Sequence, residues 1–467
     1  MSAAASVASA ASTSQMLIGL ATGIAVLLIL AMKTRIHVFV ALILAALVTG
    51  LIGGLPFDSV IGSITKGFGS TLGSTGIIIG LGVFVGAVLE RSGAAEQMAF
   101  SIIKWIGKAK EEWALAITGY LVAIPVFADS GLIILTPLAR SLSRMTGKSV
   151  VGLGLALATG LQLAHVFIPP TPGPLAVAGI LEIDMGMMIL WGIIMTVPTL
   201  ILCTLYAKWL GKKIYMIPNE DGTDFERKDF KAEYIKSIDN LEQIYKDKNL
   251  PGAWLSFAPI LIPLVLILGN TTVSFLEMEG TFADLIKMLG HPVIALIIGL
   301  LIALYGLARG LSKEEVNKAI DDGAKSTGMI LFITGAGGAL GYVVRDAGIG
   351  NALGEAVLNI GIPGILIPFV IAALMRIALG SATVALITAA TLTAPLVPQL
   401  GLNPTLVAMS TCAGAVSFSY FNDSGFWVFN GLYGLKEVKD QFMAKTMVSF
   451  VGSFATLATV LIFDIFM

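Results

Sequence analysis

Apolar residues fill this 467-residue chain in long blocks separated by short polar interruptions. Blocks of spanning length, about 20 residues, lie near 16–32, 36–54, 72–90, 186–208, 254–272, 291–308, 326–344 and 447–466. Two longer stretches, 113–143 and 361–399, are apolar but interrupted. Two more, 149–181 and 404–435, carry a polar, Pro- or Gly-rich break at the centre. The pattern predicts an all-α polytopic membrane protein. In the first break, HVFIPPTPGPLA (165–176), Pro169, Pro170, Pro172 and Pro174 forbid a continuous helix. Each removes a backbone N–H and clashes with the preceding turn. Irregular backbone at membrane depth is tolerated only where it lines a cavity or is buried in protein. Both breaks are therefore expected to border a binding cavity.

Composition sharpens this picture. The chain is 56% hydrophobic and 13% charged, against about 25% charged in a soluble domain. A net charge of −1 leaves no basic footprint for nucleic acid. Cys203 and Cys412 both fall in apolar spans, and His37, His165 and His291 have no ligand spacing, so neither a disulfide framework nor a metal site is expected. No cofactor is implied. The first fifteen residues are small and uncharged, without the basic n-region of a signal peptide, and predict a disordered tail. Segment 211–250 holds 17 of the 59 charged residues. It divides the chain and predicts a loop with a short amphipathic helix around 226–246.

The halves resemble each other at a constant offset of 252: GSTG (73–76) with KSTG (325–328), FADSG (127–131) with LGSAT (379–383), and PTPG (170–173) with NDSG (422–425). Internal repeats mark transporter folds. Basic residues favour the cytoplasmic side, so Lys33 and Arg35 place the end of the first span inside. Lys104, Lys108 and Lys110 precede 113–143, and Arg140, Arg144 and Lys148 close it. Both ends are then cytoplasmic, and the segment is expected to be a re-entrant hairpin with its tip near Pro125–Gly131. Its partner, 361–399, lacks basic flanks and should open to the outside. On this scheme 25 of 29 basic residues fall inside, Lys66, Lys287 and Arg345 outside, and Arg376 within the membrane. The repeats come out inverted, each with one hairpin and one broken helix meeting near the midplane around a small polar solute or ion.

Several residues there carry chemistry. Asp129, in the first tip, is costly in a membrane unless paired, hydrated or protonated. It is a candidate proton carrier, or else an N-cap together with Ser130. Arg376 could hold an anionic substrate in a bidentate pair, or pair structurally with Asp129, Asp423 or backbone carbonyls. GSAT (380–383) and NDSG (422–425) offer hydroxyls, an amide and a carboxylate, suited to a polyhydroxylated ligand and equally to capping half-helices. His165 is either a packing residue or a proton relay. Tyr420, Phe421 and Trp427 fit packing or gate walls.

HVFIPPTPGPLAVAG (165–179), RIALGSATVALITA (376–389) and FSYFNDSGFWVF (418–429) resemble the gluconate permease family of bacterial transporters. The resemblance runs from about residue 17 to the end. It implies a proton-coupled organic-anion symporter of the bacterial inner membrane, and the wider superfamily implies a homodimer with a fixed scaffold and a mobile elevator domain. The chain departs from the gluconate pattern at three places. Asp129 stands where the first tip has Glu, and Thr171 stands where the PPxPGP run has His. Tyr420 and Ser424 replace a His and a Pro around ND. Arg376, Gly380, Ser381, Thr383, Asn422 and Asp423 are retained.

The expected function is import of gluconate or a related hydroxy acid with protons by an elevator mechanism. The substrate would contact Arg376, Ser130, Thr171, Gly173, Gly380, Ser381, Thr383, Asn422 and Ser424. The coupling ion would use Asp129, Asp423 or His165. The transport domain would comprise 72–181 and 312–436, and the scaffold 16–71, 182–210, 253–311 and 437–467, with 1–15 a tail and 211–252 a cytoplasmic loop. The alternative is sodium-coupled carriage of a shorter hydroxy acid or D-serine. Two membrane aspartates also raise an intramembrane aspartyl enzyme, but the G-x-G-D signature is absent. A channel fits sites closed by hairpins less well than alternating access does.

Overall fold

Prolines, glycines and capping side chains set the helix ends in the computed structural model. It describes residues 11–466 apart from 107–109, 220–223, 236–248, 351, 353–362 and 421–422. Helix α1 (Thr13–Lys33) starts inside the segment expected to be a tail, because the Ser12 side chain caps it by accepting from the Gln15 N–H at 3.2 Å. It packs on α2 (Val38–Ile52). Helix α3 (Phe57–Arg91) spans 35 residues and bends by 41° between Gly73 and Thr75. The expected span at 72–90 is thus only its second part, and the expected domain division at 71/72 falls inside the helix, beside this bend.

Helix α4 (Ala94–Ile106) leads to the first hairpin, α5 (Glu111–Val122) and α6 (Ala128–Thr146). Both limbs lie against α7 (Val150–Phe167). The chain breaks at 168–171 and resumes as α8 (Pro172–Ile180). The ring of Pro172 sits at the first helical position, where its missing N–H costs nothing. Helix α9 (Met185–Lys213) then crosses beside α7.

The charged segment differs from expectation. Where an amphipathic helix was expected from 226, the chain pairs Met216–Pro218 with Phe225–Arg227 as a short antiparallel ladder, followed by one 3₁₀ turn at Ala232–Tyr234. Arg227 is drawn to Asp440 at 2.5 Å, a long-range partner that local sequence does not disclose. Residues 236–246 of that expectation lie outside the described residues.

The second half runs through α10 (Ala253–Phe275), α11 (Thr281–Leu289), α12 (Pro292–Gly306) and α13 (Lys313–Asp346). Ser312 and Glu315 form a capping box at the start of α13. Helices α3 and α13 pack along each other. Small residues permit the approach: a Cβ on Gly338 would lie 2.0 Å from Thr71 Oγ1. The second hairpin, α14 (Leu366–Leu379) and α15 (Ala382–Thr393), flanks α16 (Pro404–Val416). After a break, α17 (Ser424–Leu432) follows, and the last helix, α18 (Met447–Asp464), is entered through a π turn at Phe442–Thr446. Among the described residues seven helices are long and apolar enough to cross a membrane, or eight if the bent α3 counts as one span.

The core runs along α7 and α16, which are buried over nearly their whole length. Lipid-length helices such as α10 keep exposed faces, with Trp254 and Phe275 outward. The two broken helices are therefore wrapped by protein, as irregular backbone in a membrane requires.

Candidate functional site

A cavity of about 320 Å³ opens between the two hairpin tips and the second break. Phe127, Ala128 and Asp129 line it from the start of α6, Ser381, Ala382 and Thr383 from the start of α15, and Asp423 and Ser424 from the start of α17. Three helix N-termini thus face one space. Each brings the positive end of its dipole, which favours an anion. The end of α14 contributes Arg376, Leu379 and Gly380, α7 contributes Gln162 and His165, and α13 contributes Ile330.

Arg376 is 1% exposed. Its Nη2 donates to Asp423 Oδ2 at 2.5 Å, its Nε to the Ser417 carbonyl at 3.2 Å, and its Nη1 to the Gly380 carbonyl. Of the two roles open in the sequence, these contacts satisfy the structural one: the guanidinium ties the second tip to the second break. Five N–H donors leave some free for a ligand. Gly380 is the left-handed C-cap of α14 (φ +73°), a conformation that favours glycine, and its carbonyl turns to Arg376.

The two carboxylates differ. Asp423 caps α17 through the Gly425 N–H (3.0 Å), and also accepts from Arg376 and from the Ser419 hydroxyl. Both its carboxylate oxygens are engaged. Asp129 is half-buried, and the one hydrogen bond described for its side chain is from Ser424 Oγ at 3.2 Å. His165 stacks obliquely on Phe127, with ring centroids 5.9 Å apart, and its buried Nδ1 has no hydrogen-bond partner among the described residues.

Eight of the residues singled out from the sequence share this cavity: Asp129, His165, Arg376, Gly380, Ser381, Thr383, Asp423 and Ser424. Ser130, Thr171 and Gly173 are not among its lining residues. Thr171 is buried and its hydroxyl donates to the Ile168 carbonyl at 2.6 Å, so it closes the first break locally. A Cβ on Gly173 would lie 2.8 Å from Leu386 Cδ1, so that glycine serves the packing of α8 on α15. Asn422 lies outside the described residues. Ser381 accepts from the Val384 N–H at 3.4 Å, so it caps α15 and faces the cavity at once.

Sequence reasoning missed Gln162 and Lys445. Gln162 was legible, since it precedes His165 by three residues and shares its helix face. Lys445 was counted with the cytoplasmic basic residues, yet it is only 6% exposed.

Apolar helices of this number, wrapped around two broken helices and an anion-favouring cavity, define a multi-pass membrane transporter. The fold matches the YdaH transporter of Alcanivorax borkumensis (TM-score 0.64, 14% identity, 90% of this chain and 96% of that one). It also matches MtrF of Neisseria gonorrhoeae (TM-score 0.63, 13% identity, 96% and 97%). The chain belongs to the GntP family of permeases, whose model matches residues 15–466. It is 44% identical to an uncharacterized permease of Haemophilus influenzae, over 91% of this chain and 87% of that protein. Identity is 35% with the high-affinity gluconate transporter of Escherichia coli (93% and 97%) and 33% with the L-idonate transporter of the same organism (95% and 98%).

Proposed function

We propose that this protein is a secondary active symporter that carries gluconate or a closely related sugar acid with protons across the bacterial inner membrane. The observation that carries the proposal is the convergence of three helix N-termini and the Arg376 guanidinium on one cavity. Relatives named for gluconate and L-idonate supply the substrate class. The carboxylate of the substrate sits against the N-termini and the donors left on Arg376. Its hydroxyls meet Ser381, Thr383, Ser424 and Gln162. Asp129 takes the coupling proton, which offsets the second negative charge brought into a poorly solvated space.

The proposed movement is an elevator. In its favour, every residue lining the cavity belongs to 72–181 or 312–436, so the loaded site can travel as one unit. Inverted repeats belong to the same proposal. The bounds of α8 and α17 differ by 252 residues at both ends, and those of α2 and α12 by 254. A homodimer joined through α1, α2, α9 to α12 and α18 completes it.

One observation favours a shifted substrate. Asp129 and Ser424, two of the departures from the gluconate pattern, are hydrogen-bonded to each other. Both lie on the cavity wall, so these departures bear on which hydroxy acid the cavity accepts. The deciding experiment is uptake into sodium-free proteoliposomes, with and without an acid-outside pH gradient. Gluconate accumulation driven by the gradient is expected. Uptake of shorter hydroxy acids or D-serine alone, and only with sodium outside, would move the assignment to the second substrate class.

A further inference from the structure

Lys445 is a buried lysine with no partner among the described residues. It sits in the π turn before α18, 6% exposed, and no hydrogen bond or ion pair holds it among the described residues. It lines a second, water-sized cavity of about 20 Å³ together with Thr159, Gln162, Ser419 and Ser449. Gln162 lines both cavities, and Ser419 of the second donates to Asp423 of the first, so the two adjoin. Burial works against a charge on it more strongly than any neighbour does; the charges of Asp423 and Asp129 act on it favourably and that of Arg376 unfavourably. The other titratable groups nearby come from α9. Cys203 lines the same cavity, and the Tyr206 hydroxyl donates to the Met443 carbonyl at 2.6 Å. Asp440, one turn before, is committed to Arg227.

The second cavity has two sides. Leu155 to Leu163, Val416 and Ser419 belong to the proposed moving part, while Cys203, Lys445, Ser449 and Gly452 belong to the proposed scaffold. Lys445 therefore faces the site's carboxylates from across the surface along which the elevator would slide. A buried unpaired cation in a membrane is expensive, and this one is placed where its cost depends on the charge of the partner domain.

Resting on the elevator reading above, we infer that Lys445 is an electrostatic latch on the scaffold that enforces coupling. The moving site alone holds one cation, Arg376, and two anions, Asp129 and Asp423. A substrate anion arriving without its proton adds a further negative charge, strengthens the attraction to Lys445 and holds the domain in place. Protonation of the site removes one negative charge and releases the domain. Uncoupled anion movement is thereby suppressed.

The test uses full-length protein in proteoliposomes with gluconate as the probe, comparing wild type with Lys445→Met and Lys445→Arg. Methionine keeps the apolar stem and removes the charge. The K445M protein is expected to equilibrate gluconate down its own gradient, while its accumulation plateau under an acid-outside gradient falls at least tenfold. K445R is expected to hold the wild-type plateau. A purely structural role would slow K445M and leave its plateau unchanged, and that result overturns the latch. So does a K445M protein that fails to fold, or a K445R protein that leaks as K445M does. If wild type itself accumulates no gluconate, the substrate assignment fails, and the same comparison is made with whichever hydroxy acid it accumulates.

Discussion

Replacing Arg376 by methionine removes a buried side chain that joins the second hairpin tip to the second break. Asp423 Oδ2 loses a donor at 2.5 Å, and the carbonyls of Ser417 and Gly380 lose theirs. Breaking a buried ion pair from one side costs about 3–5 kcal/mol, because the remaining charge is left uncompensated. Each stranded carbonyl adds roughly 1 kcal/mol. A loss of about 5 kcal/mol is expected, or ~3.5 decades in the unfolding equilibrium at 1.4 kcal/mol per decade. Neutralising both partners, as Arg376→Met with Asp423→Asn, should recover roughly 3 kcal/mol of that, since a buried pair replaced on both sides is often near neutral. Reversible unfolding in mixed micelles, followed through the six tryptophans, measures both. A single variant that loses less than about 1 kcal/mol, or a double variant as unstable as the two singles summed, would refute the clamp. Gluconate uptake by the single variant should be absent in either case.

Asp129→Asn should fold normally, because its carboxylate is half-buried with a single hydrogen bond described, and should lose gradient-driven accumulation; unchanged accumulation would place the proton elsewhere. Asp129→Glu combined with Ser424→Pro restores two positions of the gluconate pattern that touch each other, and should raise gluconate uptake more than the two single changes together. At the hairpin base, Lys148 lies 2.7 Å from Glu111 and 2.6 Å from Glu112. Burial works against its charge, but the two carboxylates outweigh it and hold the ammonium above the ordinary lysine value of 10.5. The stability it supplies is full below pH 10.5 and is lost as pH rises through the higher folded value. Lys148→Met should therefore melt well below wild type at pH 7 to 9, with the gap closing above pH 10.5.

How much of this was written in the chain depends on the range of the interaction. The break at 168–171 was legible because proline acts within one turn, and Pro169, Pro170, Pro172 and Pro174 act together. The ends of the first hairpin were legible from its turn residues and basic flanks. Single prolines were less decisive: Pro137, Pro198, Pro259 and Pro263 all lie inside helices. Neighbouring elements can satisfy the freed backbone there.

Pairing over long distance was beyond local pattern. Arg376 had Asp129, Asp423 and backbone carbonyls open to it in the sequence, and folding selected Asp423, 47 residues on, with the carbonyls of Ser417 and Gly380. Thr171 and Gly173 belonged to the most conspicuous motif in the chain, yet they serve the joint itself, because a broken helix must first satisfy its own backbone. Lys445 looked like a loop residue beside the last span, until a π turn and the packing of α9 and α18 enclosed it. Sequence alone determined the membrane class, the breaks and the chemical types around them, since hydropathy and proline act locally. Only tertiary structure decided which charges meet, which N-termini share a cavity and which lysine is buried, since those energies depend on segments brought together from opposite ends of the chain.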